Sequence, residues 1–540
     1  MPDAWRQGAV IYHVYPRSFR DSNGDGVGDL AGITEKLDYV ASLGVDGLWI
    51  SPFFASPMRD FGYDVSDYRA VDPIFGTVED FDRLLARAHG LGLKVILDMV
   101  WSHTSDQHSW FAESRLDRHG AKADWYVWAE PRPDGGPPNN WLSVFGGSAW
   151  TWEPRRRQYY LHHFLPAQPK LNLRNDVVVA ELLEAGAFWL NRGVDGFRMD
   201  AVDFMAHDAL LRDNPAASVN ETPLRPFAMQ VHRHDLGDPA TFDVLARTRA
   251  LLDRYPGSIS IAEVGSVGSA DNALERAAGY VGGEGRRLHA AYTLHVAKGP
   301  GELAAIRNAI AQAEQSFDQG SIVWSFSNHD IERVATRWGD GGPGSAKVFL
   351  ALLATMRGCL TLYQGEELGL PEPEIAQADV RDPYGRAYWP LYKGRDGSRT
   401  PMPWEHAAVH AGFCDGAEPW LPVAATHLPL AVDRQDRDPH SVLTAWRALS
   451  RLRRDNAVFR LGSLQLLDAA PPLLAFERRH GRDRALCLFN LGDMDGRFAI
   501  PQRTLPLIIG GCRMLPDADE LVLPPKSYFV ATLPGVVAPV

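Results

Sequence analysis

Three carboxylates mark where this chain could do chemistry: Asp200 in GVDGFRMDAV, Glu263 in SISIAEVG and Asp330 in IVWSFSNHD. Each closes a short apolar, β-branched run, the place where a buried parallel strand stops and hands over to a loop. Acids placed at random lie mostly on solvated faces, so three at successive strand ends point to a shared site. Arg198 and Asp200 are two residues apart on one run and leave it on the same face. A guanidinium there favours the ionised form of Asp200, which suits a nucleophile. Glu263, facing neighbouring carboxylates, is the member expected to keep a proton for a leaving group.

Positioning these acids requires a repetitive scaffold. Eight strand-like runs follow in order, AVIYHVYP, DGLWIS, KVILDMV, DGFRMDAV, SISIAEV, HAAYTL, SIVWSFS and CLTLYQGEE, most of them separated by helical patterns. Between the second and third, Thr77 caps a predicted helix with Phe81, Leu84, Leu85 and Ala88 on one face, ended by Gly90 and Gly92. The pattern predicts an α/β protein, a (β/α)8 TIM barrel with a small domain inserted after strand 3 and a C-terminal antiparallel β domain. The barrel is expected over 1–103 and 171–460, with an irregular insertion at about 371–430. The inserted domain, 104–170, is rich in Trp, Pro, Gly and Asn and too long for an ordinary loop. From 461 to 540 the pieces LLAFERR, ALCLFNL and SYFVATL predict a β-sandwich. In such a barrel the C-terminal strand ends converge, which brings the three acids together.

Bulk properties narrow the function. The chain has 540 residues, more than one core usually serves, so a catalytic body with attachments is expected. A formal charge of −12, from 67 acids and 55 bases, offers no footprint for a phosphate backbone and excludes nucleic acid as a partner. The start MPDAWRQGAVIYHVYP carries no signal-peptide pattern and no apolar run reaches spanning length, so the chain reads as cytoplasmic with no membrane partner. Its four cysteines form no CxxC pair and read as reduced structural thiols.

The motifs then point to a family. DMVWSH, GFRMDAV, AEV and FSNHD resemble the four signature regions of the α-amylase superfamily, glycoside hydrolase family 13. IYHVYPRSF, DSNGDGVGDL, LWISPFFASP, GYDVSDY, QPKLN, YQGEELG and RTPMPW look like its α-glucosidase and oligo-1,6-glucosidase branch, in the same order along nearly the whole chain. The resemblance implies a retaining reaction with Asp200 as nucleophile, Glu263 as acid/base catalyst and Asp330 as the acid that binds sugar hydroxyls and helps distort the ring. Such a pair stands about 5 to 5.5 Å apart. It further implies that His103 and His329 donate to a bound glucose, that Tyr63 stacks beneath it, and that Asp60 and Arg399 close the end of the cleft around the non-reducing sugar. Phe145 and Phe164 would wall the leaving-group side. A closed end implies removal of single glucoses from short α-glucosides, with water or another hydroxyl as acceptor. No organic cofactor is implied.

The loop DSNGDGVGD places side-chain oxygens at Asp21, Asn23, Asp25 and Asp29 and a carbonyl at Val27, with EF-hand spacing. Ile33 stands where an EF-hand has its bidentate Glu, so the loop resembles instead the structural Ca2+ (or Mg2+) loop of the glucosidase branch. Ser102 stands where many amylases carry an Asn that binds an interdomain calcium, which puts that site in question. Lys170 replaces the usual Asp of QPDLN, and Ala201 the Val that follows the nucleophile in oligo-1,6-glucosidases. These departures lead us to expect α-1,4 substrates such as maltose over isomaltose. Alternatives are an oligo-1,6-glucosidase, a sucrose-acting enzyme or a glucosyl isomerase. A non-catalytic interaction protein is a remote one, since such members lack an intact acid set.

Overall fold

The computed structural model describes residues 4–218, 225–265, 273–283, 287–317, 320–514 and 520–534. Eight parallel strands close into a barrel: β1 (Val10–Val14), β2 (Gly47–Ile50), β3 (Lys94–Met99), β4 (Gly196–Met199), β5 (Ile259–Val264), β6 (Ala290–Thr293), β7 (Ser321–Ser325) and β8 (Cys359–Tyr363). β1 pairs with β8 from Val10↔Leu360 and closes the ring. These are the eight runs predicted from sequence. They are legible because parallel strands covered on both faces become continuous apolar stretches.

Residues pointing inward, among them Ile11, Trp49, Ile96, Ile261, Tyr292 and Val323, fill the barrel interior. Outward-facing residues pack against the surrounding helices, as with Val78–Gly90. That helix starts with a capping box in which Thr77 accepts from the Asp80 amide, and it buries Phe81, Leu84, Leu85 and Ala88. Capping of this kind contributes about 1 kcal/mol. Gly196 opens β4 at φ +155, where an added Cβ would lie 2.1 Å from the carbonyl oxygen of Ile259, so β4 and β5 approach too closely for any other residue.

After β3 the chain builds a three-stranded antiparallel sheet, Trp128–Ala129, Gln158–Leu161 and Trp150–Glu153, around a small core that includes Trp141 and Trp150. The C-terminal part forms a five-stranded antiparallel sheet facing a three-stranded one. Alternation divides its strand Leu473–His480: Leu474 and Phe476 pack on the barrel side, while Leu473 and Ala475 face the second sheet. Among the described residues no helix is long and apolar enough to cross a membrane, and all four cysteines are free.

Candidate active site

Strand register assembles the centre of the site. Asp98 on β3 pairs in register with Arg198 on β4, and Glu263 on β5 with Tyr292 on β6. Arg198 is 1% exposed and serves three acids at once. Its Nη1 donates to Asp98 at 2.6 Å and Asp200 at 2.7 Å, and its Nη2 lies 2.6 Å from Glu263. The indole of Trp49 lies beneath the guanidinium, 4.8 Å away. Tyr292 donates its hydroxyl to Glu263 at 3.0 Å, and the Ala201 amide donates to the other Glu263 oxygen at 3.2 Å. That amide is aimed by a left-handed turn at Ala201, φ 44 and ψ 51.

The charge balance differs from the sequence expectation. Arg198 does not single out Asp200, because it also holds Glu263 and Asp98. Burial pushes the Asp200 carboxyl well above the ordinary range, with Glu263 and Asp98 adding to the push and Arg198 opposing it. Burial likewise lifts Asp98 to about 6 against the pull of Arg198. Three buried acids around one guanidinium favour retention of a proton in the cluster, as an acid/base pair needs.

Asp330 follows β7 and behaves differently. Burial raises its pKa, yet the net effect holds it well below the usual carboxylate range. The neighbours responsible are Arg399 at 2.6 Å and Arg395 at 3.1 Å. His329 is itself pushed down to about 3 by burial, so it is neutral at pH 7 and leaves that work to the two guanidiniums.

At the end of the cleft a further guanidinium, not singled out from the sequence, joins the two expected residues: Arg395 meets Asp60 at 2.8 Å. Arg395 also binds Asp382 at 2.7 Å. Arg399 lies behind it, donating from Nε to the His329 carbonyl at 2.7 Å and resting on Tyr15 and Phe61. Both arginines sit in the irregular stretch after β8, four residues apart, where no periodicity separates them.

The acids open into a cavity of about 780 Å³ whose wall includes Asp60, Tyr63, His103, Phe145, Phe164 and Arg395. Arg198, His329 and Arg399 support this wall from behind. Tyr63 stacks on His329 at 5.2 Å and donates its hydroxyl to Asp98 at 3.0 Å. Both ring nitrogens of His329 lack a hydrogen-bond partner among the described residues. In His103, by contrast, Nε2 is engaged by the Tyr63 carbonyl at 2.9 Å and Nδ1 by Ser102 at 2.8 Å, so a sugar would have to share it. Phe145 packs against Phe164 and Tyr384. Asp98, Tyr292 and Arg395 were missed as site residues. Asp98 alone had a local signal, as a charged residue inside the apolar run KVILDMV.

Residues 13–462 match the profile of the α-amylase catalytic domain. The chain belongs to the α-amylase family. It is 48% identical over 541 residues to a probable α-glucosidase of Rhizobium meliloti, with 98% of this chain and 97% of that one covered. It superposes with a TM-score of 0.92 on the crystal structure of an α-glucosyl transfer enzyme, XgtA, at 50% identity, with 98% and 99% of the two chains covered. The trehalulose synthase MutB of Pseudomonas mesoacidophila gives a TM-score of 0.89 at 31% identity, covering 98% and 99%.

Other features singled out from the sequence of this α-amylase family chain lie outside the cavity. In the loop after β1, Asp21 accepts from the amides of Asn23, Gly24 and Gly26, and Asp29 caps the helix Leu30–Glu35 through the Gly32 amide. The oxygens of Asp21, Asn23, Asp29 and the Val27 carbonyl suit a hard cation in type. Asp25, however, is exposed, and among the described residues no three His, Cys, Asp or Glu side chains converge as a metal site. The loop is also anchored to a later segment, with Gly24 and Gly26 accepting from Ala417 and Trp420 at 2.8 and 2.9 Å. Lys170 is buried and donates to the Met205 carbonyl at 2.8 Å, tying the inserted region to the turn that follows Asp200.

Proposed function

We propose that the chain is a retaining exo-α-glucosidase acting on short α-glucosides, with α-1,4 linkages preferred. The observation that carries this reading is the single guanidinium of Arg198 shared by Asp200 and Glu263. Two carboxyl groups on one guanidinium favour the short separation of a retaining pair, about 5 Å, over the wider one that leaves room for an attacking water. Asp200 attacks the anomeric carbon while Glu263 protonates the departing oxygen. Glu263 then takes the proton of an incoming hydroxyl that displaces Asp200. Asp330, kept ionised by Arg395 and Arg399, binds sugar hydroxyls at this centre. The ion pair between the buried Asp60 and Arg395 supports a cleft closed beyond one terminal glucose.

Release of nitrophenol from a nitrophenyl α-glucoside tests the assignment. The native protein is expected to release it, and Asp200→Asn to be slower by about a thousandfold or more; equal rates would refute it. Faster hydrolysis of isomaltose than of maltose would overturn the linkage preference. A second reading, transfer of the glucosyl group to another hydroxyl, is supported by the likeness to structures named for glucosyl transfer and trehalulose synthesis. It shares every step up to the choice of acceptor. We further propose that the loop Asp21–Asp29 takes a structural cation, with Asp25 turning inward to complete the set.

A further inference from the structure

Among the described residues, two cations of the cleft have no acid within ion-pair distance. Arg395 is paired with Asp60, and Arg276 stands 3.4 Å from Asp203. Lys298, at the end of the short helix Leu294–Lys298 after β6, lines the cavity with a solvent-accessible side chain. Among the described residues it has neither an ion-pair nor a hydrogen-bond partner. Arg225, also on the wall, donates to the Tyr384 hydroxyl at 2.8 Å and lies over the rings of Tyr384 and Tyr392, again with no carboxylate partner among the described residues. Desolvation in the cleft lowers the Lys298 pKa first; Arg225 and Arg395 repel the charge, and Asp330 and Glu263 attract it. Lys298 and Arg225 therefore belong to one electrostatic neighbourhood beside the reacting centre. A neutral sugar gives no return for holding there two cations that lack an ion pair among the described residues, whereas an anionic group does.

We propose that this flank binds an anionic group, a phosphate monoester or a carboxylate, carried by the acceptor or leaving group, with Lys298 as a specificity-determining residue beside Arg225. The inference rests on the glucosidase reading above. In the transfer step the bond between C1 and the Asp200 oxygen breaks as the acceptor hydroxyl oxygen bonds to C1, and the hydroxyl proton passes to Glu263. Overall, nitrophenyl glucoside and acceptor become glucosylated acceptor and nitrophenol.

The test is an internal competition. The enzyme receives nitrophenyl α-glucoside with equal concentrations of glucose, glucose 6-phosphate and gluconate, and the transfer products are counted by mass spectrometry. At low salt the native enzyme is expected to favour an anionic acceptor over glucose by about fivefold or more, with the ratio falling toward one in about 1 M sodium chloride. Lys298→Met should lose the preference and Lys298→Arg keep it. The ratio is read within one reaction and does not depend on a variant's overall rate. Preference for the phosphate or for the carboxylate supports the proposal and identifies the source. An even ratio in the native enzyme, or the same ratio in Lys298→Met, overturns it while leaving the glucosidase reading intact. No nitrophenol at all overturns both.

Discussion

Arg395 and the buried Asp60 form an ion pair, 2.8 Å long, that ties the stretch after β8 to the loop after β2. The same guanidinium reaches Asp330 and Asp382, so one side chain orders three acids from three segments.

Replacing Arg395 should therefore be costly in a way that replacing Arg399 is not. Arg395→Lys keeps a charge but offers a point donor where a planar fork met three carboxylates. Leaving buried acids unpaired costs about 3 kcal/mol or more. We expect kcat/KM on nitrophenyl α-glucoside to fall about a hundredfold in Arg395→Lys. Arg399→Lys, which leaves the Asp60 pair in place, should lose about tenfold. The opposite order of losses would give the larger share of the cleft-closing role to Arg399.

Asp98 offers a test through pH. Its charge adds to the upward push on the Asp200 carboxyl, after burial and Glu263, and it shares Nη1 of Arg198 with Asp200. Asp98→Asn removes that negative charge and leaves Arg198 freer to stabilise ionised Asp200. The Asp200 pKa then falls, so the acid limb of the kcat/KM profile should move to lower pH, with a maximum reduced by about tenfold to a hundredfold. A merely structural role for Asp98 would lower the maximum without moving the limb.

The eight strands and three principal acids were legible because a buried parallel strand is an apolar run and an acid at its end stands out. Partnerships were less legible. That Arg198 lies beside Asp200 follows from two-residue spacing at the end of β4, but its contacts with Asp98 and Glu263 depend on register with β3 and β5 and appear in no single run. Tyr292 reads as one more apolar residue of HAAYTL until that register brings its hydroxyl to Glu263. Arg395 and Arg399 flank the same turn with no periodicity to rank them. Only three-dimensional closure assigns Asp60 to the first.

The cation proposed for the loop Asp21–Asp29 has a direct thermal consequence. A ligand bound only by the folded state stabilises it by about 2.7 kcal/mol at a hundred times its Kd. In a chain of 540 residues this should raise Tm by a few degrees. Calcium chloride is expected to raise the Tm of the EDTA-treated protein, and the increment should shrink in Asp21→Asn. A Tm indifferent to both calcium and EDTA would show that the Asx turns at Asp21 and Asp25 order this loop unaided.

Glu366 carries the last prediction, one of stability and not of rate. It follows β8, is 5% exposed, and accepts from the Tyr363 amide at 3.1 Å. Burial pushes its carboxyl from an ordinary 4.5 up to about 8, with Glu367 adding to the rise and Arg333 and Arg337 opposing it. The folded state thus holds a proton that the unfolded chain releases, over the window from about 4.5 to 8. A raised folded pKa means that the contribution is fully present below the unfolded value and is lost as pH rises through the window. Glu366→Gln keeps the neutral shape at every pH and so escapes that loss. Its Tm should match the native Tm near pH 4.5 and exceed it near pH 8, by an amount on the order of a few kcal/mol in stability. Thermal melts of the two proteins across this range check it, and a difference that does not grow with pH would mean that Glu366 is ionised in the fold.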